Sequence, residues 1–526
     1  MGKLPRIWIV WLLLLAAGLT FRLFIALRLP NDTPDDGRVY AQLARNLLEQ
    51  HVYSHESEAP YVPSLIRLPG YPLFLAGIYS AFGHNNNTAV RVVQAGIDTA
   101  TCGLVAWVAF CWAPDERRKR LAATTSLALA VFCPFTAIYV ATVLTEVPTS
   151  FFAVLACLTA TCAFKSSRYR LLFWIATGIT CGLAVLFRPD SGLFAAAIGL
   201  TLIISAIANW SNEVSRLLVR LLKAIPSAAL FTLAFCLVLV PWTIRNRRLF
   251  HVFQPLSPAH GEMPGEFVPR GYLLWLRSWL DDGRYIGPVL WSLDTNRISM
   301  DSFPDSAFDS DEERDRVAVL IHKYNNPDEE EQKAEEEAAA EEDDSGDDEQ
   351  SEEEQNPPDQ STEQNVEMTP EIDAGFAQIG RERIARSRFR YYLVLPAKRG
   401  ISLWFDTHSQ YYPFDGELFP LDDLDYTIHQ HIWLPLFAGL TWIYTLLGAL
   451  GAWLLWRTRR VEARRWVTLA ALIIFLRLGF FSTLENPEPR YVVELFPFLA
   501  VLGGIAIASI LTRITGEAGG CVKPRA

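Results

Sequence analysis

The chain has no Cys-x-x-Cys pair and no cysteine spacing that suits a metal site or a disulfide framework. Seven of its eight cysteines (Cys102, Cys111, Cys133, Cys157, Cys162, Cys181, Cys236) lie in or beside apolar segments, where cysteine acts as a small apolar filler. Cys521 lies in the tail. There is no G-x-x-x-x-G-K-S/T phosphate loop, no G-x-G-x-x-G and no G-x-S-x-G elbow. These absences disfavour nucleotide-driven transport and the use of a nucleotide sugar on the cytoplasmic side. No internal repeat and no matched pair of broken helices marks the chain as a transporter. His51, His55 and His84 have no metal-ligand spacing. The sequence shows no metal motif, leaves the need for a divalent cation open, and gives no reason to expect nucleic acid as a partner.

What is abundant is apolar. Half of the residues (51%) are hydrophobic, with 16 Trp and 31 Phe, and they fall in long runs, which points to a polytopic membrane protein. Ten runs are long enough to span: about 7–28, 88–112, 121–141, 147–164, 170–187, 191–209, 224–244, 432–456, 466–483 and 491–512. Lys3 and Arg6 precede the first run as in a signal peptide. The run continues to Ala26 with no small-x-small cleavage site, so a retained helix is expected. The fold class predicted is therefore all-α, a bundle of about ten transmembrane helices.

Basic residues predict the orientation. One set of short loops and span ends receives 20 Lys and Arg, among them Arg117–Arg120 and Arg457–Arg465, and the opposite set only seven. Both termini are thus expected in the cytoplasm of a cell whose inner membrane holds the chain. Residues 29–87 and the long stretch 245–431 are expected to face outward. The formal charge of −11 misleads: residues 328–356 carry 17 acids and one lysine, and without that tract's −16 the chain is at +5. Like-charge repulsion and a lack of large apolar residues predict disorder over about 325–370. The flanks, Gly271–Trp279 and Tyr391–Trp404, are aromatic and expected at the membrane interface. Three regions follow: 1–244 with the outer loop 29–87, the extracytoplasmic stretch 245–431, and 432–526 with the last spans and a short tail.

The first outer loop holds the densest chemistry. Tyr40, Leu43, Ala44, Leu47 and Leu48 recur at helical spacing and predict a short amphipathic helix lying along the bilayer surface. Asp35 and Asp36 precede it. Acids there cap a helix and suit its dipole. Held at the interface beside arginines, they also suit a lipid headgroup.

Four stretches occur in order along nearly the whole chain. The first reads D-x-x-x-Y-x-x-L-A-x-N-L-L, followed by R-x-P-G-Y-P. Then come Leu144-Thr145-Glu146-Val147-Pro148, Pro241-Trp242-Thr243-Ile244-Arg245-Asn246, and Glu488-Pro489-Arg490-Tyr491. Together they resemble the family-39-like GT-C glycosyltransferases, which include protein O-mannosyltransferases and bacterial aminoarabinose transferases. All four fall on the outer face by the charge argument. The resemblance implies transfer of a sugar from a polyprenyl-phosphate donor to an extracytoplasmic lipid, glycan or protein. By spacing to Tyr40, Asp36 matches the family's leading Asp. Gly37 then stands where an acid commonly follows, so Asp35 is carried as the alternative.

In such a reaction the leaving group is a phosphate, so the site needs cations to hold its charge, and arginine binds phosphate through a planar fork. Arg67, Arg188, Arg245 and Arg490, all at outer span ends or loops, are the expected donor-phosphate residues. Local pairing of Arg188 with Asp190 is the competing reading. The acceptor hydroxyl needs a carboxylate, for which Asp36, Asp35 and Glu146 are available. Tyr40, Tyr71 and Tyr491 are expected to line the substrate cavity. Arg22 and Arg477 lie within spans, where a charge calls for a partner or a role. Competing functions are a ligase or polymerase using a lipid-diphosphate donor, and a lipid-linked sugar flippase.

Overall fold

The computed structural model describes residues 4–29, 35–208, 217–327, 366–406, 412, 428–485 and 488–519. The acidic tract expected to be disordered, and Cys521, lie outside the described residues. Among the described residues all regular structure is helical. In chain order α1 is Leu4–Arg28, α2 Asp35–Glu49, α3 Gly70–Phe82, α4 Asn87–Trp112, α5 Glu116–Val131 and α6 Pro134–Ala137. Then come α7 Glu146–Lys165, α8 Arg170–Phe187, α9 Gly192–Ile207 and α10 Leu217–Phe250. Next are α11 Arg270–Arg277, α12 Asp311–Asn325, α13 Pro370–Arg386 and α14 Leu395–Phe405, then α15 Ile428–Arg457, α16 Val461–Ser482 and α17 Phe496–Gly519.

Nine helices among the described residues are long and apolar enough to cross a membrane. A tenth span forms if α5 and the segment Pro134–Ala141 count as one, bent by 52°. The break has a local cause: Pro134 lacks an N–H and opens a new helix after Cys133. Each expected span has its counterpart, so the chain is a multi-pass membrane protein.

The chain divides into two compact units, 1–266 with 403–479 and 489–526, and 267–402 with 480–488. In the larger unit, helices approach closely through small residues. A Cβ on Gly178 would strike the carbonyl of Phe231, and one on Gly182 would sit 2.7 Å from Cβ of Val238, so α8 and α10 pack backbone against backbone. Polar side chains inside this bundle are partnered. Arg22 of α1 pairs with Asp98 of α4 at 2.5 Å, both buried. Its Nη1 and Nη2 donate to the carbonyls of Val131 (2.9 Å) and Ala130 (3.2 Å), at the end of α5 where the break interrupts the helical ladder. The described cysteines are free, and Cys102, Cys133, Cys157 and Cys181 are buried.

The smaller unit corrects one expectation. Gly271–Trp279 is not an interfacial belt: Tyr272, Trp275, Leu276 and Trp279 form a fully buried core with Val317, Ile321 and Phe376. Gly271 lets α11 meet α13, because a Cβ there would strike the carbonyl of Asp373. In the other aromatic stretch, Tyr392 stays exposed, while Arg399 is buried and donates to the carbonyls of Leu280 and Arg277 at 2.6 Å each.

Candidate active site

The site in the larger unit starts from α2. The expected apolar stripe forms, but it faces protein and not the bilayer surface. Leu43 and Ala44 are fully buried. Leu43 packs with Tyr53, Leu65 and Leu68, while Ala44, Tyr40, Leu47 and Leu48 pack on Tyr71, Leu75 and Tyr79. Asn46, on the same helix, donates to the carbonyls of Ser54 and Glu56 at 2.8 Å each, and so anchors the following loop. Tyr53 then holds the far end of that loop, its hydroxyl donating to the carbonyls of Arg67 and Leu68 at 3.1 Å.

This framework sets Arg67 against the first turn of α2. Asp36 accepts from Arg67 through Oδ1 at 2.9 Å and from Arg490 through Oδ2 at 3.1 Å. Burial pushes the Asp36 carboxyl up, but Arg490 and Arg67 outweigh it and hold the group below its ordinary value. The side chain remains 31% exposed, so the carboxylate is reachable. The side chain of Asp35 lies outside the described residues, and Gly37 is buried.

Tyr40 stands one helical turn further on. Its ring meets that of Tyr71 edge to face at 5.2 Å. Burial, with Asp36 adding to it, pushes the Tyr40 phenol up to about 12, against the pull of Arg67 and Arg188, so it stays protonated at neutral pH. Tyr71 donates to Gln94 Oε1 at 2.8 Å, and Gln94 in turn donates to the carbonyl of Thr142 at 2.7 Å.

Gly70, the glycine of R-L-P-G-Y-P, has a visible purpose: a Cβ there would lie 2.5 Å from the carbonyl oxygen of Leu186. Only glycine lets α3 abut the end of α8, which delivers Arg188 next. Arg188 binds Glu146 at 3.0 Å and Asp190 at 3.1 Å, with Glu494 at 3.6 Å. Arg477 pairs with Asp190 at 2.6 Å and with Glu494. Three carboxylates thus surround two guanidiniums. Glu146 Oε2 is buried without a hydrogen-bond partner among the described residues.

Tyr491 joins the two groups. The guanidiniums of Arg188 and Arg490 each lie 5.3 Å from its ring centre. Asp36, Arg67, Arg490, Tyr491, Arg188, Glu146, Tyr40 and Tyr71 are therefore brought to one place. Arg245 stands beside it. Its guanidinium packs on Trp242 (4.6 Å), Tyr53 (5.1 Å) and Phe250 (5.4 Å) and donates to the carbonyl of Ser64 at 2.8 Å. Among the described residues no carboxylate pairs with it. Phe250 also lines an open apolar pocket of about 410 Å³ with Val62, Pro63, Leu249, Met263 and Pro264.

Glu494 and Asp98 were not singled out in the sequence. The signal for Glu494 was available, a lone acid in the apolar run V-V-E-L-F, since an intramembrane charge requires a partner. No group of three or more His, Cys, Asp or Glu able to hold a metal occurs among the described residues.

Residues 10–254 match the family described as dolichyl-phosphate-mannose-protein mannosyltransferase. No curated protein matches the chain. Among solved structures, the oligosaccharyltransferase AglB of Archaeoglobus fulgidus, in complex with an inhibitory peptide and a dolichol-phosphate, is similar over 100% of this chain and 53% of its own, at 12% identity and a TM-score of 0.50. The apo form of the Archaeoglobus fulgidus oligosaccharyltransferase matches over 100% and 54%, at 13% identity and a TM-score of 0.50. ArnT of Cupriavidus metallidurans, bound to undecaprenyl phosphate, aligns over 98% of this chain and 81% of its own, at 12% identity and a TM-score of 0.37. The chain spans about half the length of the archaeal enzyme. Residues 10–254, a little under half of the chain, thus match the mannosyltransferase family, and the chain shares its fold with the archaeal oligosaccharyltransferase.

Proposed function

We propose that the protein transfers a sugar from a polyprenyl-phosphate donor to a hydroxyl-bearing acceptor on the outer side of the inner membrane. The observation that carries this reading is Asp36, reachable from solvent and shared between two arginines. The family match and the dolichol-phosphate in the archaeal complex support a lipid-phosphate donor. The excess of basic residues on the opposite loops supports an outward-facing site.

In this reading the bond from the sugar's anomeric carbon to the donor phosphate breaks as the acceptor oxygen bonds to that carbon. The acceptor's proton passes to Asp36. The phosphate gains a negative charge, which Arg67 and Arg490 stabilise. Arginines that hold Asp36 make it a weak base in the empty site. A donor phosphate competes for the same guanidiniums, and Asp36 becomes more basic as it loses them. Donor binding therefore prepares the base.

Arg245 suits the junction of phosphate and lipid. It is a cation without a carboxylate partner among the described residues, and Phe250 links it to an apolar pocket. Arg188 has a different place in this reading. Its donors go to carboxylates, so it orients Glu146, whose Oε2 is left to accept from the acceptor or the sugar.

The test is transfer from labelled polyprenyl-phosphate sugars in membranes carrying Asp36→Asn or Arg490→Ala. Both variants are expected to transfer much more slowly than wild type at normal expression. Full activity in both overturns the assignment.

A further inference from the structure

Arg477 comes from α16, a helix that supplies none of the residues assigned above to donor or acceptor. It is fully buried within a candidate span, where an arginine is costly unless its donors are used. A simple helix–helix ion pair would need one carboxylate. Arg477 does more: Nε donates to the main-chain carbonyl of Tyr491 at 2.6 Å. Nη2 faces Asp190 Oδ2 at 2.6 Å and pairs with Glu494, and the guanidinium lies 5.1 Å from the ring centre of Phe194. One side chain thus fastens the turn Pro189–Ser191, the start of α9, and the 3-10 turn Pro489–Leu495. Those turns follow Arg188 directly and carry Arg490 and Tyr491.

We propose that Arg477 is a positioning residue for sugar transfer. By gripping the Tyr491 carbonyl together with Asp190 and Glu494, it fixes where Arg490 and Arg188 stand against the Tyr491 ring. The proposal rests on reading Arg490 as a ligand of the donor phosphate. A lysine has a point charge and no planar fork, so it cannot serve the carbonyl and both carboxylates together.

The experiment uses the full-length enzyme in membranes or detergent. Arg477→Lys keeps the charge and loses the fork. The double variant Arg477→Met with Glu494→Gln removes one guanidinium and one carboxylate together, so the cluster keeps its excess of one carboxylate. Transfer kinetics from a polyprenyl-phosphate sugar and thermal unfolding are measured for each. The expected result is a donor KM raised about tenfold or more in both variants, with the acceptor KM within about twofold, because a displaced binding group costs at that scale. The double variant is expected to unfold close to the wild-type temperature. A double variant that regains both stability and donor KM overturns the positioning role, since a merely structural pair predicts that recovery. If the double variant does not fold, Arg477→Lys decides, and an unchanged donor KM there overturns it. Wild type that transfers from no polyprenyl-phosphate donor overturns the functional reading along with it. Active wild type with variants that match it overturns the positioning role alone.

Discussion

Asp36 and Arg490 are 454 residues apart in sequence and 3.1 Å apart in space. Arg67 takes the other oxygen of the same carboxylate at 2.9 Å. The first loop and the entry to the last span are thereby closed onto one carboxylate. The positive charge exceeds the negative at this point, which suits an incoming phosphate.

Asp36→Asn is expected to lower kcat about 10²- to 10⁴-fold, the usual scale for removing a general base. The amide keeps the shape and releases both arginines, so the donor KM should not rise. Kinetics with a polyprenyl-phosphate sugar check this. A raised donor KM with unchanged kcat would mean that Asp36 organises the arginines and takes no proton.

The pH profile follows from the direction of the Asp36 shift. Its folded pKa is depressed, burial raising it and Arg490 and Arg67 lowering it more. The group therefore stays ionised as pH falls through the ordinary carboxylate range near about 4, and its contribution is lost only below that. The acidic limb of kcat/KM should lie below the ordinary value. Arg490→Ala, which removes one of the two attractions, should move that limb upward. A limb that stays in place in Arg490→Ala sinks the assignment of Asp36 as the titrating group.

Much of this was legible in the sequence because it follows from local pattern. The stripe Tyr40, Leu43, Ala44, Leu47, Leu48 and the apolar runs depend only on helical period and span length. The four motifs contain both acids and three arginines of the candidate site, Arg67, Arg245 and Arg490, while Arg188 stood out by its place at a span end. What failed depended on partners. The aromatics of Gly271–Trp279 have the composition of a membrane belt and equally that of a small domain's core. The choice was made by α13, whose Phe376 packs on Tyr272. Likewise, periodicity shows that Arg22 and Arg477 are buried charges but cannot say that Asp98 and Glu494 answer them.

The pocket beside Arg245 yields a prediction that separates lipid from sugar recognition. Met263→Trp should fill much of the apolar volume next to Phe250, and Arg245→Ala should remove the adjacent cation. Each is expected to raise the KM for a long-chain polyprenyl-phosphate sugar by about tenfold or more while leaving the acceptor KM alone. With a donor whose lipid is cut to one or two isoprene units, Met263→Trp should lose most of its effect and Arg245→Ala should keep it. Equal effects on long and short donors would mean that the pocket does not hold the lipid.

Arg22 and Asp98 bear on stability and not on transfer. Arg22 pairs with Asp98 at 2.5 Å and also holds the carbonyls of Val131 and Ala130, where α5 breaks before Pro134. Asp98→Asn leaves a buried guanidinium without its counter-charge, and such a loss costs about 3–5 kcal/mol. Arg22→Met strands the Asp98 carboxylate and also takes a donor from the Val131 carbonyl, so it should cost at least as much. The double variant Arg22→Met with Asp98→Asn removes both buried charges and should recover a large part of the loss. It cannot recover all of it, because the Val131 carbonyl at the break loses its Arg22 donor. Unfolding of the three variants in detergent, followed by tryptophan fluorescence, measures the ordering. A double variant as unstable as the sum of the two changes would show that the pair is not coupled. A double variant as stable as wild type would show that Arg22 does not support the break.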